Sequence, residues 1–126
     1  PTSVINFVEG TRFTQEKKEN RRSPYKHLLV PRAGGIALTL ASMGEIFEKI
    51  IDVTIIYPNG SITFWEMMCG EFDHVIIDIK KRPIETWLYE GDYGHDRDFR
   101  KCFHNWLSAI WEEKDKNIEA FFTHNR

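Results

Sequence analysis

Runs of apolar residues predict three strands and a short fourth one. A nearly continuous apolar run at 4–8 predicts a buried strand, which we expect to lie in a parallel sheet and to deliver a loop at its C-terminal end. β-branched runs at 51–57 and 75–79 predict two further strands. A short strand is expected at 61–64, after the turn residues Pro58-Asn59-Gly60.

Two other stretches have the three- and four-residue spacing of amphipathic helices. The stripe of the first is formed by Ile36, Leu40, Met43, Phe47 and Ile50. The second helix is capped by Asp96 or Asp98 and runs to about Phe122. Its stripe is formed by Phe99, Phe103, Trp106, Ile110, Lys114, Ile118 and Phe121, broadened by Cys102, Leu107, Trp111 and Phe122. The charged run 112–116 in the same helix is interpreted as a solvated face.

The order strand, helix, strand, strand, helix predicts an α/β fold, a sheet flanked by helices. A chain of 126 residues suits one domain, which we expect to span 1–126. Hydrophobic residues make up 41% and aromatic residues 13% of the chain, which favours a globular domain over disorder. Because the aromatic content is so high, we expect some apolar surface to meet a partner, a lipid or a further domain.

Charge and cysteine content exclude several classes of protein. The formal net charge is -2, so a nucleic-acid partner is not expected. The local basic cluster at 17–22 fits either a solvated loop or a patch that meets anionic headgroups. Cys69 and Cys102 form no C-x-x-C pair, which argues against a disulfide scaffold and for a reducing compartment. Cys102 and His104 point apart on a helix, so no metal site is expected.

The residues after the first predicted strand carry the clearest candidate chemistry. Gly10 allows a sharp turn, Thr11 offers a hydroxyl donor, and Arg12 offers a planar fork of donors that matches phosphate oxygens. Glu9 could hold that guanidinium in place. From the residues alone, both a phosphate-binding loop and an ordinary turn with a surface arginine remain open.

A family resemblance favours the phosphate-binding loop. Residues 7–12 resemble the F-x-E-G-T-R motif of the glycerolipid acyltransferases, in which this motif binds the acceptor phosphate. E-G-T-R-F-T-Q-E-K at 9–17, H-L-L-V-P-R at 27–32 and W-L-S-A-I-W-E-E-K-D at 106–115 resemble the branch of lysophosphatidate and lysophospholipid acyltransferases. The resemblance covers nearly the whole chain and implies the C-terminal part of the acyltransferase fold.

The resemblance also implies site residues and substrates. Gly10, Thr11, Arg12 and Arg32 would bind the acceptor phosphate, with Glu9 orienting Arg12. Arg32 precedes a predicted helix, where a phosphate would also meet the helix dipole; a loop cation that fixes the helix start is the alternative. The substrates would be a lysophosphatidic acid-like acceptor and a fatty acyl thioester of coenzyme A or acyl carrier protein, with no cofactor. The strand at 52–57 lacks a proline that many family members carry, which leaves the donor side less defined.

The catalytic H-x-x-x-x-D element of that family is absent, because none of the five histidines has an aspartate five positions later. The resemblance therefore implies that the histidine base and any membrane anchor lie in a missing N-terminal half. We expect the parent enzyme to be bound to a membrane, a bacterial inner membrane in particular, with this domain in the cytoplasm. The isolated chain is expected to be soluble and inactive, and to cover its apolar surface by forming a homo-oligomer. The alternative is a non-catalytic module that binds anionic lipid or a partner protein.

Overall fold

The computed structural model describes residues 3–11, 14–58, 64–70 and 74–124. These residues form five helices and two strands. They are α1 (Gln15–Asn20), α2 (Ala33–Met43), β1 (Lys49–Ile56), α3 (Phe64–Met68), β2 (Ile76–Pro83), α4 (Trp87–Glu90) and α5 (Arg97–His124). None of the described helices combines the length and the apolar character required to cross a bilayer.

The long helix α5 organises the core. It begins after Asp96, whose Oδ1 accepts hydrogen bonds from the backbone N–H groups of Asp98 and Phe99 at 3.1 and 3.2 Å, as predicted for a capping residue. Its apolar stripe is confirmed, since its buried residues are Phe103, Leu107, Ile110, Trp111, Lys114 and Ile118. Cys102 does not broaden this stripe, because its side chain is exposed beside the buried Phe103.

Helix α2 and the segment before it pack into the same core. Leu29 is fully buried, and α2 buries Ala33, Ala37 and Leu40. The predicted helical stripe was wrong beyond Met43, because α2 ends there and Ile50 lies in β1, opposite Arg82 of β2. The physical reason is the ribbon, because the pairing of 49–56 with 76–83 takes Ile50 into a strand. Gly44, the C-cap residue of α2, keeps helical dihedral angles, and a Cβ there would lie 2.6 Å from the Cβ of Tyr89.

The two strands form one antiparallel ribbon, with a register that runs from Lys49 opposite Pro83 to Ile56 opposite Ile76. The strands predicted at 51–57 and 75–79 correspond to β1 and β2. Of the strand predicted at 61–64, residues 61–63 lie outside the described part of the chain, and residue 64 begins α3.

The predicted strand at 4–8 and its parallel sheet were wrong for the part of the chain that the structure describes. Residues 3–7 have no regular secondary structure, and the side chains of Ile5 and Phe7 are 82% and 80% exposed. A strand exists only where its backbone groups pair with a neighbour, and an apolar run does not specify that neighbour. The observed helices and antiparallel ribbon are compatible with the α/β class, although the described helices pack on only one face of the ribbon.

Candidate phosphate-binding loop

The loop at 8–11 turns sharply at Gly10, as the sequence predicts. The N–H of Gly10 donates to the carbonyl of Phe7 at 2.9 Å, and its φ of 77° lies in the left-handed region that favours glycine. Because this N–H is taken up within the turn, the contribution of Gly10 to the site is a surface without a Cβ.

Arg32 lies against that surface. Its Cδ and Nη1 are 3.6 and 3.7 Å from the position that a Cβ on Gly10 would occupy. Its backbone N–H donates to the carbonyl of Val8 at 2.8 Å, which ties the loop to the start of α2. Arg32 occupies the N-cap position of α2, and its side chain makes no capping hydrogen bond. Its guanidinium therefore faces the glycine turn next to the positive end of the helix dipole.

Glu9 turns its carboxylate inward. Its Oε1 accepts a hydrogen bond from the backbone N–H of the fully buried Leu29. Burial raises the pKa of this carboxyl above its ordinary value. The N–H of Leu29 and the positive charges of Lys114 and Arg21 oppose that rise in pKa. The buried indole N–H of Trp111 also opposes it, although this group has no hydrogen bond of good geometry among the described residues.

The predicted role of Glu9 in orienting Arg12 is not visible, because Arg12 lies outside the described residues. Within the described chain, the Glu9 carboxylate instead fastens the loop to the segment that carries Leu29 and Arg32.

Helix α5 holds that segment in place. The carboxylate of Asp115 accepts hydrogen bonds from the backbone N–H groups of Lys26 and His27 at 3.0 and 2.8 Å. Nε2 of His27 lies 2.6 Å from Oε2 of Glu119. The interpretation of 112–116 as a solvated face was therefore wrong for Asp115, and also for Lys114, which is buried.

Helix α1 brings two further cations to the loop. Nζ of Lys17 donates to Oγ1 of Thr11 at 2.6 Å, and Nη1 of Arg21 donates to the carbonyl of Glu9 at 3.2 Å. Thr14 caps α1, since its Oγ1 accepts from the N–H of Lys17 at 3.1 Å. The sequence interpretation did not assign Lys17 and Arg21 to the phosphate site. The available signal was the basic cluster at 17–22, which the sequence left open as a solvated loop or a patch that meets anionic headgroups.

Three of the predicted site residues, Gly10, Thr11 and Arg32, therefore lie in one loop region, with Lys17 and Arg21 beside them. Cations and a hydroxyl around a glycine turn suit an anion. Across the described ranges, no group of three or more His, Cys, Asp or Glu side chains is arranged to hold a metal ion.

Comparison with known proteins identifies the relatives of this chain. It is 28% identical over 123 residues to the 1-acyl-sn-glycerol-3-phosphate acyltransferase delta of Homo sapiens, covering 90% of this chain and 30% of the relative. It is 27% identical over 128 residues to the 1-acyl-sn-glycerol-3-phosphate acyltransferase 3 of Arabidopsis thaliana, covering 93% of this chain and 31% of the relative. It is 24% identical over 145 residues to the 2-acyl-1-lysophosphatidylinositol acyltransferase of Saccharomyces cerevisiae, covering 98% of this chain and 34% of the relative.

The chain thus spans about a third of the length of these curated relatives. No family model matches it, and no solved structure matches it. By sequence, the chain is similar to 1-acyl-sn-glycerol-3-phosphate acyltransferases over nearly its whole length, which confirms the resemblance that its motifs indicate.

Proposed function

We propose that this chain is the acceptor-binding part of an acyltransferase. The enzyme would transfer a fatty acyl group from acyl-CoA or acyl carrier protein to the hydroxyl of a lysophosphatidic acid-like acceptor. The names of the human and Arabidopsis relatives describe acyl transfer to 1-acyl-sn-glycerol-3-phosphate, and that of the yeast relative to a lysophosphatidylinositol. Each of these acceptors carries a phosphate, which supports a phosphate-binding role for the loop at 8–12.

The observation that carries this proposal is the guanidinium of Arg32 lying on the Cα surface of Gly10. An anion held there would meet that guanidinium, the hydroxyl of Thr11 and the N-terminal end of α2 together. Arg12 follows Thr11 directly and is assigned to the same phosphate by the family resemblance. Binding of the headgroup phosphate fixes the position of the acceptor hydroxyl, and acyl transfer requires this positioning.

This chain and the rest of the enzyme would have different roles. The sequence contains no H-x-x-x-x-D element, so we assign the histidine base to a part of the enzyme outside these 126 residues. The chain would also represent the C-terminal portion of the acyltransferase fold. By itself it would bind the acceptor headgroup without turnover.

Kinetics of the complete enzyme test the assignment. Arg32→Ala and Arg12→Ala should each raise the acceptor KM by about tenfold to a hundredfold, because each removes a charge-assisted hydrogen bond to phosphate. The KM for the acyl thioester should change little. Arg97→Ala, which removes an exposed arginine at the start of α5, is the matched control. Unchanged acceptor KM in both Arg32→Ala and Arg12→Ala would contradict the phosphate role.

A second candidate is a non-catalytic module that binds anionic lipid or a partner. It is favoured by the outward face of the ribbon, where Ile51, Ile55, Ile77 and Ile79 are exposed. The same enzyme assay separates the two candidates. Acyl transfer by the natural protein that contains this chain supports the first, and binding to anionic vesicles without any acyl transfer supports the second.

A further inference from the structure

Lys17 and Arg21 carry an inference about headgroup selection. We propose that Lys17 in α1 and Arg21, the residue that follows α1, determine the charge of the headgroup that the loop accepts, so that a dianionic phosphomonoester binds in preference to a monoanionic phosphodiester. The inference rests on the proposed phosphate-binding function and adds a specificity-determining pair to it.

The contacts of Lys17 direct the hydroxyl of Thr11. Nζ of Lys17 donates to Oγ1 of Thr11, so this oxygen acts as an acceptor towards the helix. The hydroxyl proton of Thr11 is then left to point elsewhere, and an anion in the loop is the partner that such a proton favours. The ammonium group also lies within 2.6 Å of that oxygen, close to where the phosphate oxygens would be.

Arg21, the C-cap residue of α1, adds a fork of donors beside Lys17. One of its nitrogens, Nη1, is fixed by the carbonyl of Glu9. Among the described residues, neither Arg21 nor Arg32 forms an ion pair with a carboxylate. Neither guanidinium group therefore has a carboxylate in direct contact within the described loop region, and the Glu9 carboxylate attracts Arg21 only at longer range.

Glu9 is the acidic residue of the loop, and its carboxylate is directed away from this cationic surface. It accepts the N–H of Leu29, and its burial works against ionisation. The inward orientation reduces the repulsion that the carboxylate would otherwise exert on a bound phosphate.

Charge counting then separates the two classes of headgroup. A phosphomonoester carries about -1.5 to -2 charges at pH 7, whereas a phosphodiester carries about one. The interaction of each cation with the ligand grows in proportion to the ligand charge. Each additional cation at the site therefore strengthens the binding of a phosphomonoester more than the binding of a phosphodiester.

The test is an NMR titration of this chain, followed at the amides of Gly10, Thr11 and Arg32. The ligands are glycerol-3-phosphate, glycerophosphoinositol and inorganic phosphate, all without acyl chains. The test variant is Lys17→Gln/Arg21→Gln. The matched control is Lys18→Gln/Arg22→Gln, which removes the same two charges from adjacent positions with the same four-residue spacing. Dispersed amide spectra establish that each variant is folded.

The proposal expects the native chain to bind glycerol-3-phosphate more tightly than glycerophosphoinositol. The test variant should lose about tenfold or more in affinity for the monoester, and clearly less for the diester, while the control keeps the native preference. Equal losses for both ligands, or the same loss in the control, would overturn the inference and leave the phosphate site standing.

Two further results distinguish the remaining possibilities. If the native chain binds neither glycerol-3-phosphate nor glycerophosphoinositol, that result would instead contradict the proposed function itself. Tighter binding of inorganic phosphate than of glycerol-3-phosphate, lost in the same test variant, would assign the pair to free phosphate and overturn its role in headgroup selection.

Discussion

At the residue scale, Glu9 joins the candidate site to the core. Its carboxylate accepts the N–H of Leu29, whose side chain is fully buried, while its own carbonyl accepts from Arg21. The residue therefore contributes to the position of Arg32 through the backbone of the 29–32 segment. This is a structural role beside the substrate-binding role that the family resemblance implies.

The raised pKa of Glu9 gives a prediction with a defined sign. Because the folded pKa lies above the unfolded one, the folded state holds the proton more tightly, and this stabilisation is lost as pH rises through the folded pKa. Glu9→Gln keeps an oxygen acceptor for Leu29 and does not ionise. The free energy of unfolding of the variant relative to the native chain should therefore increase between about pH 4 and about pH 7 in urea titrations.

The control for that experiment is Glu9→Ala. It does not ionise either, so its stability relative to the native chain should show the same pH trend; because it leaves the N–H of Leu29 unpaired in a buried position, it should be about 1–3 kcal/mol less stable than Glu9→Gln at both pH values. A stability difference between Glu9→Gln and the native chain that does not change with pH would contradict the account of Glu9.

Residue-scale features were partly predictable from the sequence. The turn at Gly10 and the candidate residues Thr11 and Arg32 follow from local chemistry and the motif, and the structure places these three residues together. The partner of Glu9 was not predictable, because Leu29 is 20 residues away and the contact depends on tertiary packing. Arg12 lies outside the described residues, so its contacts stay a prediction.

At the element scale, α5 and the ribbon meet through charged groups. Asp52 in β1 binds Nζ of Lys114 at 2.9 Å through Oδ1 and Nε of Arg82 at 3.0 Å through Oδ2. The side chains of Lys114 and Asp52 are only 10% and 11% exposed. Glu113 extends the network outward to Arg82 and Lys80. The inward face of the ribbon is therefore rich in charge.

Asp52→Ala should be strongly destabilising. It leaves Lys114 and Arg82 buried without their shared carboxylate, and the loss of one partner of a buried pair costs about 3–5 kcal/mol. Lys80→Gln, at the exposed end of the same network, should cost about 0–1 kcal/mol. Urea unfolding measures both. Similar losses in the two variants would contradict the view that Asp52 is the centre of the network.

Element boundaries were predictable where the periodicity is long and unbroken. The stripe of α5 gave its core face, including Lys114, and the β-branched runs gave β1 and β2. The partner of Lys114 was not predictable, because a sequence pattern does not show which strand faces a helix. The predicted helix through Ile50 failed for a related reason, since Ile50 pairs with Arg82 across the ribbon and that pairing is not visible in the helical spacing.

At the scale of the whole molecule, the described chain exposes much apolar surface. The outward face of the ribbon carries Ile51, Val53, Ile55, Ile77 and Ile79, and Ile5 and Phe7 are exposed before the loop. Apolar patches of this kind usually meet a partner, a lipid or another part of the same protein. Under the proposed function, the remaining part of the acyltransferase would cover this surface. Formation of a homo-oligomer by the isolated chain stays a prediction.

Whole-molecule properties were the least predictable from the sequence. The α/β class follows from the order of elements, but sheet pairing depends on neighbours that an apolar run does not name. The resemblance to the acyltransferases was predictable because the E-G-T-R block and its flanks form a specific pattern, and the similarity to the human and Arabidopsis relatives confirms that resemblance. The acceptor headgroup was not predictable, because the names of the human and yeast relatives give different acceptors.

The most direct test of the central claim is a crystal structure of the chain with glycerol-3-phosphate. The account predicts that the phosphate group lies against Gly10, within hydrogen-bonding distance of the guanidinium of Arg32 and the hydroxyl of Thr11. Ligand density at a different surface, with Arg32 still packed on an unoccupied Gly10 turn at saturating ligand, would contradict the phosphate-binding role of this loop.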